Sequence, residues 1–209
     1  MFRDREEAAQ RLVRELAHLK GRNPLVLAVP RGGVPMGRVI ADALDGELDV
    51  VLVHKIGAPE NPEYAIGAVG EDGALELRHG ERARDAYVER EVARQLEVLR
   101  ERRRQYSPVR PPLDPTGRVV IVVDDGAATG ATLMAALRLV RARRPEHLVV
   151  ALGVAPLDAV ERFHEVADEV VCLRTPRFFY AVGEFYRDFR QVEDREVIEL
   201  LGRAPPAPT

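Results

Sequence analysis

Apolar residues fall into two rhythms along the chain. Residues 25–29, 118–123 and 147–154 are apolar at almost every position. Short unbroken runs of this kind predict strands buried on both faces. Residues 49–56 (DVVLVHKI) and 169–173 predict two more strands. Between them the spacing becomes helical. Residues 3–20 place Ala9, Leu12, Val13, Leu16 and Leu19 on one face, and residues 34–44 carry Pro35 in a first turn. Further helices are predicted from about residue 129 to 142 and over 157–165, and a long charged one over 81–106 with Val88, Val92, Leu96 and Leu99 as its stripe. Strands alternating with helices at this spacing imply right-handed crossovers and a mostly parallel sheet.

The rest is punctuation. Gly32-Gly33 and residues 57–61 are loop signals, and Gly70-Glu71-Asp72-Gly73 between residues 65–69 and 74–77 predicts a hairpin. Residues 107–115 are Pro-rich and predicted to be extended, and the Pro-rich end, residues 204–209, is predicted to fray. There is no repeat, and 209 residues fit one domain, or one domain with a small appendage.

Composition narrows the field. No apolar run approaches the ~20 residues a membrane helix needs, and the charged start, MFRDREEAAQ, lacks a signal-peptide core. A single cysteine, Cys172, excludes an internal disulfide and makes a reducing cytoplasm the default. A net charge of −3 argues against a broad nucleic-acid face but not against a local anion pocket. Only Lys20 and Lys55 are lysines among many arginines, so a retained lysine is conspicuous.

The chemistry concentrates in residues 119–132, VVIVVDDGAATGAT. An apolar strand runs into adjacent carboxylates, Asp124 and Asp125. Two neighbouring acids at a buried edge repel and are costly to desolvate, a cost that sugar hydroxyls, a hydrated cation or a basic side chain would offset. The following residues, Gly126, Ala127, Ala128, Thr129, Gly130, Ala131 and Thr132, are all small. A loop of small residues that opens into a helix presents free amides and the positive dipole end to an anion. Diol and phosphate binding side by side suit a ribose 5-phosphate. No Lys-Ser/Thr follows Gly130, so this is not a Walker A loop. An acidic receiver pocket would leave the small-residue loop without a role, and a plain strand-to-helix turn with solvated acids is the bland alternative.

This segment resembles the 5-phosphoribosyl-1-pyrophosphate (PRPP) motif of type I phosphoribosyltransferases. It resembles in particular a poorly characterised bacterial group with a similar tail, PRFFYAVGEFYRDFRQV. The resemblance implies a three-layer α/β fold, with a core over about residues 20–174 and a C-terminal hood over about 175–203 helped by the N-terminal helix. It implies that Asp124 and Asp125 meet the ribose hydroxyls and that the turn from Ala128 to Thr132 holds the 5′-phosphate. Pro30-Arg31-Gly32-Gly33 would be the pyrophosphate loop, with Arg31 as a forked donor and a non-proline cis or otherwise strained peptide expected within Arg31-Gly32-Gly33.

Lys55, at the end of the second strand, could neutralise departing pyrophosphate, whereas His54 faces the other way by alternation. Six of the eleven Phe and Tyr residues lie between Phe178 and Phe189. Most suit a hydrophobic cap, and Phe179 or Tyr180 could line an acceptor pocket. Where 6-oxopurine transferases carry an acid two places before the second glycine, this chain has Ala128, which disfavours that subgroup's base chemistry. The reading is a cytoplasmic enzyme of nucleotide metabolism, a homodimer by resemblance. It would use Mg²⁺ carried on PRPP, reaching Asp124 or Asp125 through water, and a nitrogen acceptor, with no nucleic acid or membrane partner. A non-catalytic PRPP or nucleotide sensor is the alternative. Residues 57–65 and 70–84 both suit the flexible catalytic loop, and the arginines at 100–104 read as a solvated helix end.

Overall fold

The computed structural model describes residues 1–77, 86–106 and 112–203. Five strands form one parallel sheet in the order β2-β1-β6-β7-β8. These are β1 (Leu25–Ala28), β2 (Glu47–Val50), β6 (Val119–Gly126), β7 (His147–Val154) and β8 (Glu169–Arg174). Helices α1 (Arg5–Glu15) and α2 (Gly33–Ala43) cover one face, and α4 (Ala131–Ala142) and α5 (Leu157–Phe163) the other. The unbroken apolar runs are the central strands, as a sheet covered on both faces requires. Val119 to Val123 are all at most 2% exposed, each contributing roughly 1.5–3 kcal/mol of burial. Alternation sends Ile121 and Val123 to the α1/α2 face and Val120 and Val122 to the α4/α5 face.

From β1 the chain winds outward to β2, and from β6 it winds the other way to β7 and β8. The crevice between the carboxyl ends of β1 and β6 is therefore the topological switch point, where sheets of this kind bind ligands. Helix α1 begins at an acid cap: the Asp4 carboxylate accepts the Glu7 amide at 2.8 Å, and Glu7 reaches back to the Arg3 amide at 2.6 Å. It stops at Leu16 and continues only as a 3₁₀ turn over Ala17–Leu19, so the predicted helix over 3–20 is two pieces.

The predicted strand over 49–56 is also divided. Val51 still donates to the Ala28 carbonyl, and then the chain leaves the parallel sheet. Strand β3 (Val53–Ala58) pairs instead with β4 (Asn61–Gly70), and β4 with β5 (Leu75–Leu77), in a separate antiparallel sheet against α4. The loop expected over 57–61 shrinks to a tight turn, because Ala58 and Asn61 are already paired. The hairpin at Gly70 to Gly73 stands as expected. Helix α3 (Ala86–Tyr106) carries the predicted apolar stripe, and the residues assigned to its start at 81–85 lie outside the described residues. So do 107–111, 204–209 and the 78–84 part of one flexible-loop candidate. A last helix, α6 (Asp194–Gly202), packs on α2 and α3. No described helix is long and apolar enough to cross a membrane.

Candidate active site

Strand β1 delivers Arg31, Gly32 and Gly33 to the switch point. The cis peptide is one bond upstream of the expected three residues, between Pro30 and Arg31. Gly33 opens α2, and its amide donates to the Val29 carbonyl at 3.0 Å. Both glycines are required by close approach. A Cβ on Gly32 would overlap the Asp125 carboxylate, and one on Gly33 would meet the Val123 carbonyl. Arg31 is partly exposed and lies 3.8 Å from Asp194 at the start of α6.

The two acids do not end the strand, as expected, but sit inside it. The β6–β7 ladder runs through Asp124 to Gly126. They consequently diverge to opposite faces. Asp125 is 8% exposed, turned toward α1 and α2 beneath Gly32. Its Oδ2 accepts the Nε of Arg5 at 2.8 Å, and its carbonyl accepts the Tyr186 hydroxyl at 2.6 Å. Asp124 is half-buried, and its Oδ1 accepts the Asp125 amide at 2.8 Å. Burial, then the Asp125 charge, pushes the Asp124 carboxyl well above the usual range. Burial pushes Asp125 up too, against the opposing Arg5 guanidinium. Burial and the adjacent acids likewise raise the Tyr186 phenol.

Beyond the acids the chain turns tightly into α4. Ala127 donates to the Val154 carbonyl at 3.0 Å, and Gly130 adopts φ +70°, a left-handed conformation that glycine accepts without cost. The helix starts at Ala131, two residues later than expected, because Gly130 serves as its cap. Met134 makes the first helical bond, to the Gly130 carbonyl at 2.8 Å. Among the described residues the amides of Ala128, Thr129, Gly130, Thr132 and Leu133 have no acceptor within the chain, and Ala128, Thr129, Ala131 and Thr132 are exposed. Five free donors at a helix start are the kind of arrangement that can receive an anion. Arg162 of α5 braces the turn from behind, donating to the Thr129 carbonyl at 2.9 Å.

The structure thus brings Arg31, Gly32, Gly33, Asp124, Asp125 and the Gly126-to-Thr132 turn to one edge. It does not bring Lys55 to the end of a parallel strand. Lys55 lies in β3, opposite Ala68, because the chain changes sheets before reaching it. Phe179 stacks on Phe185 with ring centroids 5.4 Å apart, whereas Tyr180 is 82% exposed. The hood still reaches the site, since Val182 packs against Gly126. Nothing in the sequence pattern singles out Arg5 or Tyr186, and Arg103 of the predicted solvated cluster is buried. It bridges Asp49 and Glu71 beside a cavity of about 680 Å³, whose lining includes none of the motif residues.

The phosphoribosyl transferase domain model matches residues 1–190, and the chain belongs to that family. It is 43% identical over 208 residues to two Mycobacterium tuberculosis proteins, from strains CDC 1551 / Oshkosh and H37Rv, whose names assign them provisionally to the phosphoribosyl transferases. The match covers 98% of this chain and 47% of those relatives, so the chain spans about half their length. The crystal structure of TT1426 from Thermus thermophilus is 50% identical, with a TM-score of 0.88 over 96% of this chain and 97% of that one.

Proposed function

We propose that the chain is a phosphoribosyltransferase that binds PRPP in the β1–β6 crevice and transfers its 5-phosphoribosyl group to a nitrogen acceptor. One observation carries this reading: the helix starts of α2 and α4 and a partly exposed acid residue, Asp124, converge on a single switch point. The free amides from Ala128 to Leu133 hold the 5′-phosphate, with the Thr129 and Thr132 hydroxyls beside them. Arg31 leaves its long, weak pair with Asp194 for the pyrophosphate above Gly32 and Gly33. Asp124 accepts ribose hydroxyls and lies where positive charge develops as the bond from C1 to pyrophosphate breaks. Pyrophosphate leaves with the electron pair, and the acceptor nitrogen bonds C1. Tyr180, with a free aromatic face, is offered as an acceptor contact.

Mg²⁺ fits this donor set as a passenger on the substrate. No cluster of three or more acid, His or Cys ligands occurs among the described residues, and Mg²⁺ is commonly held by one or two carboxylates plus substrate phosphates. Bound there, it would neutralise the leaving pyrophosphate, with Asp124 near enough to contribute through water.

Calorimetry with PRPP, with and without Mg²⁺, tests the binding, and pyrophosphate release with a panel of nitrogenous bases tests the transfer. Mg²⁺-dependent binding and release only in the presence of an acceptor are expected. Binding without release for any base would favour the sensor. NMR titration with ribose 5-phosphate should move the amides of residues 128–133. A strongest anion site elsewhere would overturn the assignment of the turn.

A further inference from the structure

Asp125 is enclosed from three sides. Gly32 lies over its carboxylate, the Tyr186 hydroxyl holds its carbonyl, and Arg5 of α1 meets Oδ2 at 2.8 Å. Arg5 is itself fixed at two points by one further segment, residues 189–190. Its Nη1 donates to the Arg190 carbonyl at 2.8 Å, and its guanidinium lies 4.0 Å from the Phe189 ring centroid. Both partners of the ion pair have side chains 11% exposed. Stability alone is a poor reason for such a pair, because an apolar pair of similar volume is often as stable when buried. The position of the acid suggests another reason. The Asp125 carboxylate is directly beneath Gly32, where an uncompensated negative charge would repel any anion brought to Arg31-Gly32-Gly33.

We propose that Arg5 is a positioning residue that clamps Asp125 beneath Gly32 and cancels its charge, so that the loop above can take an anionic pyrophosphate while Asp124 alone meets the ribose. This rests on the phosphoribosyltransferase reading and assigns the N-terminal helix a part in the site. The other charged groups nearby do not substitute. Asp124 is a like charge, Arg190 pairs with Glu196 at 2.7 Å, and Arg31 leans toward Asp194.

The test is a double-mutant cycle read by calorimetry with PRPP and Mg²⁺. Arg5→Met should weaken binding about tenfold or more, the scale of a lost charge-assisted contact. Arg5→Lys, which restores the charge without the fork, should recover part of that loss. In an Asp125→Asn background, Arg5→Met should change affinity by less than about twofold, the usual additivity error. A purely structural arginine would give the same loss in both backgrounds, and that result overturns the proposal, as does a near-wild-type Arg5→Met. Should Arg5→Met fail to fold, Arg5→Lys and Arg5→Gln carry the same cycle. Wild-type protein that binds no PRPP defeats the phosphoribosyltransferase reading first, and the role of Arg5 with it. Wild-type binding with an additive cycle defeats only the role of Arg5.

Discussion

Gly130→Ala should damage both the fold and the turn proposed to hold phosphate, and its cost can be worked from one backbone angle and one contact. Gly130 has φ +70°, where an L side chain is strained by roughly 1–2 kcal/mol. A Cβ there would also lie 2.7 Å from the Cζ of Phe163, a ring only 1% exposed and so unable to move aside freely. Overpacking of this kind costs about 1–3 kcal/mol. Together these give about 2–5 kcal/mol, or a fall in Tm of roughly 4–20 °C for a chain of this size. Gly202→Ala is the control, because its Cβ would meet nothing within 4 Å and its φ is not positive. It should be neutral or slightly stabilising. Thermal melts of both variants, with and without ribose 5-phosphate, separate fold from site. A Gly130→Ala protein that melts with the wild type and still shifts on adding the sugar phosphate would refute the account of this turn.

Two further outcomes are expected. Asp124→Asn should stabilise the unliganded protein near neutral pH while abolishing PRPP binding. Burial and Asp125 hold the folded Asp124 carboxyl above its ordinary value, so wild-type stability is lost as pH rises from that value through the raised one, and Asn does not titrate. Melting curves from about pH 4 to about pH 8 should therefore diverge with rising pH, and parallel curves would contradict this. Arg103→Met should cost about 3–5 kcal/mol in urea unfolding by stranding Asp49 and Glu71. Burial already pushes the Glu71 carboxyl up while Arg103 opposes it, so the loss should shrink at acid pH, where Glu71 is protonated. A pH-independent loss would show that the pair is not electrostatic.

The legible parts of this chain are those whose pattern is local. Strands β1, β6 and β7 announce themselves because burial on both faces demands unbroken apolar runs. The Asp-Asp-to-Thr segment is readable because its small residues and its glycine have few other uses in that order. Residues 49–56 mislead for the same reason. A continuous apolar run carries no mark of the place where it exchanges one sheet for another, so the pattern puts Lys55 at the wrong edge. Arg5 and Arg103 are hidden differently. Each is one arginine among many on a charged helix, and only the partner, more than a hundred positions away for Arg5, distinguishes it from a solvated neighbour. Helix periodicity locates a face but cannot name what that face meets.

The stitching of the chain's beginning to its hood bears on how the protein is made. Phe2 donates to the Phe185 carbonyl at 2.7 Å and accepts from Arg187, and Arg5 reaches Arg190, 185 positions away. Synthesis releases the α1 segment before the hood. On the ribosome, Arg5 can find Asp125 once β6 has emerged, but Tyr186 and Phe189 arrive only some sixty residues later. A nascent chain can therefore complete its sheet and both helix starts and still leave the acid pair uncovered, so the proposed PRPP site should be completed only when the hood emerges rather than gradually.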